Sequence, residues 1–389
     1  MKICQLYSNY LPVTSGGVEK HVETLSDGLL QAGHEVFLLV PRYDSLPKIE
    51  KNCSIRIIRL GNGLPFKCSN TRYVGSLFTF YSNNIDFLSR AWSFLSKDNF
   101  GAKLDLIHAH TDGIGFFGFS SRNGYYLSKW LKKPLVLSFH QKIGEVPGDL
   151  PAKPERYKKY FDQSSQIIVH RKQNLRYLCK WGYKDKTTFI PIPIDINNFK
   201  KPANYNKKSD KIKVLYVGRL DHRRGIIPLI KSFDLVHKEN KNVELHVIGY
   251  GLLAQEAKEL STKLCLNDCV VFHGKKFDLR KYYWDSDIYV SLNISDNYPS
   301  LSLREAMAAQ MVPLVSDVGE TSELISSGKN GLLVDKSSST AIADAVLTLS
   351  EDPKLRAKLA ANARLSSEEF SITNQRQFFI DIYTKAIGK

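Results

Sequence analysis

Lys2-Ile3-Cys4-Gln5-Leu6-Tyr7, then Ser15-Gly16-Gly17-Val18-Glu19-Lys20-His21-Val22, then Gly33-His34-Glu35-Val36-Phe37-Leu38-Leu39-Val40: these three stretches, in this order, decide the fold class. The first is short and apolar and reads as a strand that Ser15-Gly16-Gly17 breaks. Val18, Val22, Leu25 and Leu29 recur at spacings of four, three and four, which is one face of a helix. Gly33 closes that helix, and residues 36–40 form the second strand. Strand, glycine turn, helix and strand make a βαβ unit.

Working outward, residues 104–108, 135–139, 166–169 and 187–190 read as further strands with helical stretches between them. From Asn197 to Lys211 the chain turns polar and is read as an interdomain linker. A second alternation follows, with strands at 212–217, 243–248, 270–273, 288–292, 312–315 and 332–334. Two doubly wound parallel sheets are therefore expected, in domains 1–196 and 212–371. Ligands of such sheets sit at the carboxyl ends of the strands, so a shared ligand is expected in a cleft between the domains. Residues 372–389 place Phe378, Ile382 and Ile387 on one helical face, expected to pack back on the first domain.

The chain has 389 residues, 55 Lys+Arg against 39 Asp+Glu and a formal charge of +16. Its length suits two or three domains, and 43% hydrophobic with 24% charged residues excludes long disorder and fibrous repeats. The charge is uneven: residues 1–200 hold 28 basic and 16 acidic side chains (+12), residues 201–389 hold 27 and 23 (+4). An anionic partner for the first half is implied. Six scattered cysteines without a C-x-x-C pair fit a reduced, cytoplasmic setting, and residues 1–7 run straight into a strand without a signal peptide. No apolar run approaches the roughly 20 residues of a membrane span.

Several motifs carry chemistry, each beside a plainer reading. Gly113-x-Gly115-x-x-Gly118 matches a dinucleotide fingerprint, yet it lies mid-domain, and the next strand ends in His140-Gln141 with no acid for a ribose. NAD is not expected. Gly16-Gly17 opens the first helix, where free backbone N–H groups suit an anion; the plain reading is a tight turn. In Gly218-Arg219-Leu220-Asp221-His222-Arg223-Arg224-Gly225, guanidiniums at a strand end can clamp a diphosphate; the alternative is a solvated basic turn. After residues 288–292, Ser300, Leu301 and Ser302 begin a helix and present backbone N–H groups toward a phosphate. Glu305 is either an acceptor for ribose hydroxyls or the far end of a Ser302-x-x-Glu305 capping box. Asp285-Ser286-Asp287 matches a metal–nucleotide D-x-D pattern but precedes a strand, where a turn needs polar residues, so no metal is expected there. His108 and His110 end one strand and His140 the next; strand alternation is read as letting only one of the first two face a ligand.

Taken in order, these segments resemble the retaining nucleotide-sugar glycosyltransferases of family 4, with the two-domain GT-B fold. The likeness rests on Gly16-Gly17-Val18-Glu19-Lys20-His21-Val22 through Gly33-His34-Glu35-Val36, and on Asp105-Leu106-Ile107-His108-Ala109-His110. It continues in Val217-Gly218-Arg219-Leu220 to Arg224-Gly225, and in Asn297 to Ala308 with the segment to Glu323. The resemblance implies that Gly16 and Gly17 meet the donor diphosphate and that Arg219 and Arg224 neutralise it. It implies that Glu305 binds the ribose, that backbone at Ser300, Leu301 and Ser302 holds the donor, and that His110 lies by the transferred sugar. His140 and Lys20 fall on the acceptor side. Two positions depart: the family's lysine is Arg224, and its first glutamate falls on Asn297, an amide that bonds hydroxyls but supplies no negative charge.

The implied reaction moves a sugar from a nucleotide diphosphate sugar to an acceptor hydroxyl with retention, without metal or cofactor. No carboxylate pair of the kind retaining glycosidases use presents itself. Residues 153–186 hold ten basic and three acidic side chains among Tyr157, Tyr160, Phe161, Tyr177 and Trp181. Residues 66–100 are rich in aromatics, including Phe78, Phe80, Tyr81, Trp92 and Phe94. Together they suit an anionic membrane surface and a lipid-linked acceptor, on the cytoplasmic face; the plain reading is a solvated basic face over core aromatics. A non-catalytic donor-binding subunit and a nucleotide-sugar epimerase of the same fold remain alternatives. No nucleic-acid reading module is present.

Overall fold

The computed structural model describes residues 1–8, 10, 16–42, 46–52, 55–61, 73–111, 118–140, 155, 157–207, 209–294 and 300–388. The chain divides into one unit of residues 1–193 with 375–389 and a second of residues 194–374. The first begins with β1 (Lys2–Leu6), α1 (Gly17–Gln31), β2 (Glu35–Pro41), β3 (Ile49–Asn52), β4 (Ile55–Leu60) and α2 (Tyr73–Ser96). It continues with β5 (Leu106–Thr111), α3 (Phe119–Leu131), β6 (Leu135–Phe139), α4 (Lys158–Gln163), β7 (Ser164–Val169), α5 (Lys172–Lys180) and β8 (Thr187–Phe189). Its eight strands run in the order β3-β4-β2-β1-β5-β6-β7-β8. All neighbours are parallel except β3, an antiparallel edge strand against β4 that departs from the all-parallel expectation.

Gly16 is the extended N-cap of α1, and a Cβ there would lie 2.9 Å from Glu19 Oε2, so the glycine makes room for the first-turn carboxylate. Val22, Leu25 and Leu29 of α1 are fully buried, each contributing about 1.5–3 kcal/mol through the area removed from water. Gly33, at φ 81°, ends the helix in the left-handed region. On the opposite sheet face, Ile107, Ala109, Leu135, Leu137 and Phe139 pack with Phe87, Ala91 and Leu95 of α2, Leu127 of α3 and Leu178 of α5. Helices thus cover both faces, as a doubly wound sheet requires.

The second unit contains β9 (Ile212–Val217), α6 (Ile226–Glu239), β10 (Val243–Ile248), α7 (Ala254–Lys263), β11 (Val270–Gly274), α8 (Arg280–Asp285) and β12 (Ile288–Ser291). After these come α9 (Leu301–Ala308), β13 (Val312–Ser316), α10 (Thr321–Leu324), β14 (Leu332–Val334), α11 (Ser339–Glu351) and α12 (Pro353–Ser367). Its six parallel strands are ordered β11-β10-β9-β12-β13-β14, so the order reverses between β9 and β12. Such a switch point leaves a crevice at the strands' carboxyl ends, beside the loops that follow β9 and β12.

The polar segment 197–211 packs on the second unit. Phe199 is buried and its carbonyl accepts from Trp284 Nε1 at 2.9 Å; Tyr205 Oη donates to Asp285 at 2.8 Å and Lys207 Nζ to Asp287 at 2.6 Å. Asp285 and Asp287, the acids of the D-x-D pattern, hold this segment, and Asp287 also accepts from Lys213 N at 2.9 Å. The last helix, α13 (Ile372–Ile387), belongs to the first unit from Gln375 onward. Its buried stripe is Phe379, Ile382 and Tyr383, while Phe378 is exposed, which corrects the expected face. The i, i+4 pair Phe379–Tyr383 covers the polar face of the first sheet, so the neighbouring Phe378 points outward.

Candidate functional site

In the first unit, strand register assembles one polar patch. His108 and His110 lie two residues apart, so both project from the same face and their rings sit 4.1 Å apart. This corrects the expectation that only one of them faces a ligand: Ala109 between them takes the opposite face, in the apolar core. His110 pairs in register with Ser138 on β6, which puts His140 one step further along the same face. Phe139 pairs with Val169, so His140 and His170, each one residue beyond its strand, stack at 4.7 Å. His21 of α1 meets both edge-on, at 4.9 and 4.8 Å. All five imidazoles are buried.

Hydrogen bonds order this patch. His110 Nδ1 and His140 Nε2 share a proton at 3.1 Å, and His170 Nδ1 donates to the Ile190 carbonyl at 2.7 Å. His108 lies between Ser138 Oγ at 2.7 Å and Tyr383 Oη at 2.8 Å. Burial, with the neighbouring His170, pushes His108 down to about 3. Burial and the surrounding histidines hold His110 and His140 well below the usual imidazole value. Held neutral, His108, His110 and His140 can each accept as well as donate. His110 and His140, the two predicted histidines, are brought together here. Gly16 and Gly17 stand exposed at the head of α1, with Lys20 one turn along and half-buried.

In the second unit, the loop after β9 carries the predicted guanidiniums. Arg219 is more than half exposed and lies 3.3 Å from Asp221, while Arg224 Nη1 donates to Asn293 Oδ1 at 3.0 Å. Asn293 is fixed in turn by Ser291 Oγ at 3.0 Å and by Ser316 Oγ, which donates to its carbonyl at 2.8 Å. Gly225, at φ 68°, caps α6; a Cβ there would come within 2.1 Å of the Leu292 carbonyl oxygen, so only glycine lets the arginine loop lie against the end of β12. Gly249 supports the loop from β10: its Cβ would meet the Gly218 carbonyl at 1.8 Å.

At the start of α9, Ser300 is the N-cap, its Oγ accepting from Leu303 N at 3.3 Å. The Ser302–Glu305 capping box is therefore not formed. Glu305 lies in the second turn, is 3% exposed, and accepts from Tyr283 Oη at 2.8 Å. Burial and the Glu305 carboxylate hold the Tyr283 phenol well above its ordinary value. Ser302 Oγ bonds Tyr289 Oη at 2.8 Å and Ser300 Oγ at 3.1 Å. Leu301 begins the helix half-buried, with the free N–H groups of the first turn beside it. Asn297 lies outside the described residues, as do Gly113 and Gly115; Gly118 is the N-cap of α3.

Sequence reasoning passed over His170, Tyr283, Asn293 and Tyr383. His170 had a usable signal, because it follows its strand as His140 follows the one before. The others had none, since their partners lie 22 to 275 residues away.

The aromatic surface also differs from the two expected stretches. Tyr157, Tyr160 and Phe161 are core residues, buried by α3 and β7, and the side chains of Phe78, Phe80 and Tyr81 lie outside the described residues. Trp92 of α2 is 45% exposed and packs edge-on at 5.5 Å against Trp130 of α3, 44% exposed. Ile85, one heptad before Trp92, is exposed on the same helix. Lys129 and Lys159 cap Tyr125 close by, at 4.9 and 5.9 Å from its ring centre.

The profile described as Glycosyltransferase Family 4 matches residues 15–198, and that of Glycosyl transferases group 1 matches residues 197–366. An uncharacterized glycosyltransferase of Methanocaldococcus jannaschii is 26% identical, over 100% of this chain and 99% of its own. The alpha-monoglucosyldiacylglycerol synthase of Acholeplasma laidlawii is 22% identical over 95% of this chain and 94% of its own. Among solved structures, an Anabaena protein in complex with UDP and glucose superposes with a TM-score of 0.74, covering 98% of both chains at 19% identity. That likeness establishes the GT-B fold.

Proposed function

The chain belongs to the group 1, family 4 glycosyltransferases, which use nucleotide sugars, and from that premise we propose a retaining transfer to a hydroxyl on a lipid-linked acceptor. The observation that carries the donor assignment is the second unit's switch point. Arg219 and Arg224 stand on the loop after β9, and the α9 N-terminus opens the loop after β12, with Glu305 one turn in. Two guanidiniums and a ring of backbone N–H groups suit a diphosphate, and a buried carboxylate one helical turn away suits vicinal ribose hydroxyls. The Anabaena neighbour's UDP complex supports the same reading.

In the reaction, the acceptor oxygen forms a bond to the anomeric carbon on the face from which the diphosphate leaves. The carbon–oxygen bond to phosphate breaks, and the acceptor's proton passes to the departing phosphate oxygen. Negative charge grows on the leaving group, where Arg219 and Arg224 act as preorganised electrostatic partners. Arg224 is held by Asn293 and so loses little freedom when it binds. The guanidiniums take the place of a divalent cation at the diphosphate, so turnover is expected to be indifferent to added magnesium or manganese. The neutral His110–His140 pair stands ready to bond sugar or acceptor hydroxyls.

Arg224→Ala is expected to lower kcat by about 100-fold or more while the fold is kept. Near-normal turnover in that variant, with donor bound, would remove the assignment. Mass spectrometry of turnover across a panel of nucleotide sugars identifies the donor. A second reading, a donor-binding subunit without transfer, draws on Asn297 at the family's glutamate position; it predicts donor binding with no nucleotide release for any acceptor.

The lipid-linked acceptor draws on two observations: the diacylglycerol product in the name of the Acholeplasma relative, and the Ile85, Trp92 and Trp130 surface flanked by lysines. Exposed tryptophans beside cations suit the headgroup level of an anionic bilayer. The proposed association is peripheral and on the cytoplasmic face; no helix among the described residues is long and apolar enough to cross a membrane.

A further inference from the structure

We propose that His21, His140 and His170 form a binding site for a divalent, borderline-soft transition-metal ion of the zinc type. One nitrogen from each imidazole lies within 4.8 Å of the other two, and all three rings are buried. They come from three different elements: α1, the end of β6 and the end of β7. The site shares His140 with the pair proposed to meet sugar or acceptor hydroxyls, but its test reads metal binding and not transfer.

Three features argue for a metal over a plain imidazole cluster. The bond from His170 Nδ1 to the Ile190 carbonyl fixes the proton on that nitrogen, so Nε2 is a lone-pair donor. A backbone carbonyl behind a histidine is the usual outer support of a metal-bound imidazole. His140 Nε2 is engaged with His110, and its Nδ1 has no hydrogen-bond partner among the described residues. His21 meets the stacked His140–His170 pair edge-on, which brings a nitrogen of the third ring within 4.8 Å of one on each of the other two.

The donor set selects the ion. Three imidazole nitrogens, with no carboxylate or thiolate in the group among the described residues, suit zinc, cobalt, nickel or copper, and do not suit magnesium or calcium. Tetrahedral zinc at about 2.0–2.1 Å from each nitrogen holds its ligands about 3.3 Å apart. Binding therefore requires the rings to rotate inward from their 4.8 Å span, and three protein ligands leave the fourth tetrahedral position to water. A bound ion would tie α1 to the ends of β6 and β7, and so fix Gly16 and Gly17 at the head of that helix.

The test uses the full-length chain, stripped with a chelator and titrated with zinc chloride against a chromophoric competitor. One equivalent is expected to bind, with a rise in Tm, and cobalt chloride is expected to give the visible bands of a tetrahedral site. His170→Phe and His21→Phe are each expected to weaken zinc at least tenfold, with folding checked by circular dichroism. His273→Gln, in the separate His246–His273 pair of the second unit, is expected to leave the stoichiometry unchanged. Absence of stoichiometric zinc and of the cobalt bands in the unaltered protein overturns the proposal without recourse to any variant. Retention of full affinity in a folded His170→Phe protein, or loss of the bound equivalent in His273→Gln, overturns it as well.

Discussion

Single residues hold the two candidate surfaces in shape, and the arginine loop shows this most directly. Gly225 sits at φ 68° with no room for a Cβ against the Leu292 carbonyl. Gly225→Ala is expected to cost at least about 1–2 kcal/mol from the left-handed backbone alone, before the clash is counted. Urea denaturation measures it, and an unchanged midpoint contradicts the account. Tyr283→Phe keeps the ring but deprives the buried Glu305 carboxylate of a 2.8 Å bond. A cost of about 1–3 kcal/mol is expected, together with a several-fold rise in KM for the donor at little change in kcat. Glu305 also shows how local pattern misleads: Ser302-x-x-Glu305 has the capping spacing, but the helix begins two residues earlier at the Ser300 cap.

At the scale of elements, the ends of β5, β6 and β7 and helix α1 bring together one buried histidine layer, which α13 covers. Three of its members, His108, His110 and His140, are held below their ordinary value by burial. The sign follows from proton counting. Below about pH 6.5 the unfolded chain protonates these rings and the folded one does not, so unfolding takes up protons and stability falls with pH. The decline starts near 6.5 and for His108 continues toward about 3. Each such ring contributes up to about 1.4 kcal/mol per pH unit within its window. Tm is expected to drop steeply between pH 7 and 5, and a flat profile there contradicts the buried, neutral assignment. Replacing Tyr383 by Phe removes the α13 bond to His108 and is expected to lower Tm at neutral pH, while the pH dependence, which comes from burial and His170, is expected to persist. The β3–β4 hairpin escaped sequence reasoning because β3 has four residues, two of them charged, and little alternation to read.

For the whole molecule, the uneven charge (+12 over residues 1–200 and +4 over 201–389) bears on where the first unit docks. Flotation with vesicles containing anionic lipid is expected to show binding that weakens from 0.1 to 1 M salt, as the screening length falls from about 10 to 3 Å. The double variant Trp92→Ala with Trp130→Ala is expected to reduce that binding while leaving turnover of a soluble acceptor intact. Binding that ignores both salt and the tryptophans counts against the membrane surface. Much of the architecture is legible in the chain itself. Strand–helix alternation, the glycine turns and the arginine loop are local, because backbone periodicity and φ > 0 positions involve neighbours only a few residues apart. The chain alone therefore determined two doubly wound sheets, the Gly16–Gly17 helix start and the arginines at the end of β9. Only the tertiary structure decided that His21, His108, His110, His140 and His170 share one buried face, that Tyr283 holds Glu305, and that Trp92 meets Trp130. Those contacts depend on which strands become neighbours and in what register, a choice made by the summed packing of distant segments, which no short window of sequence contains.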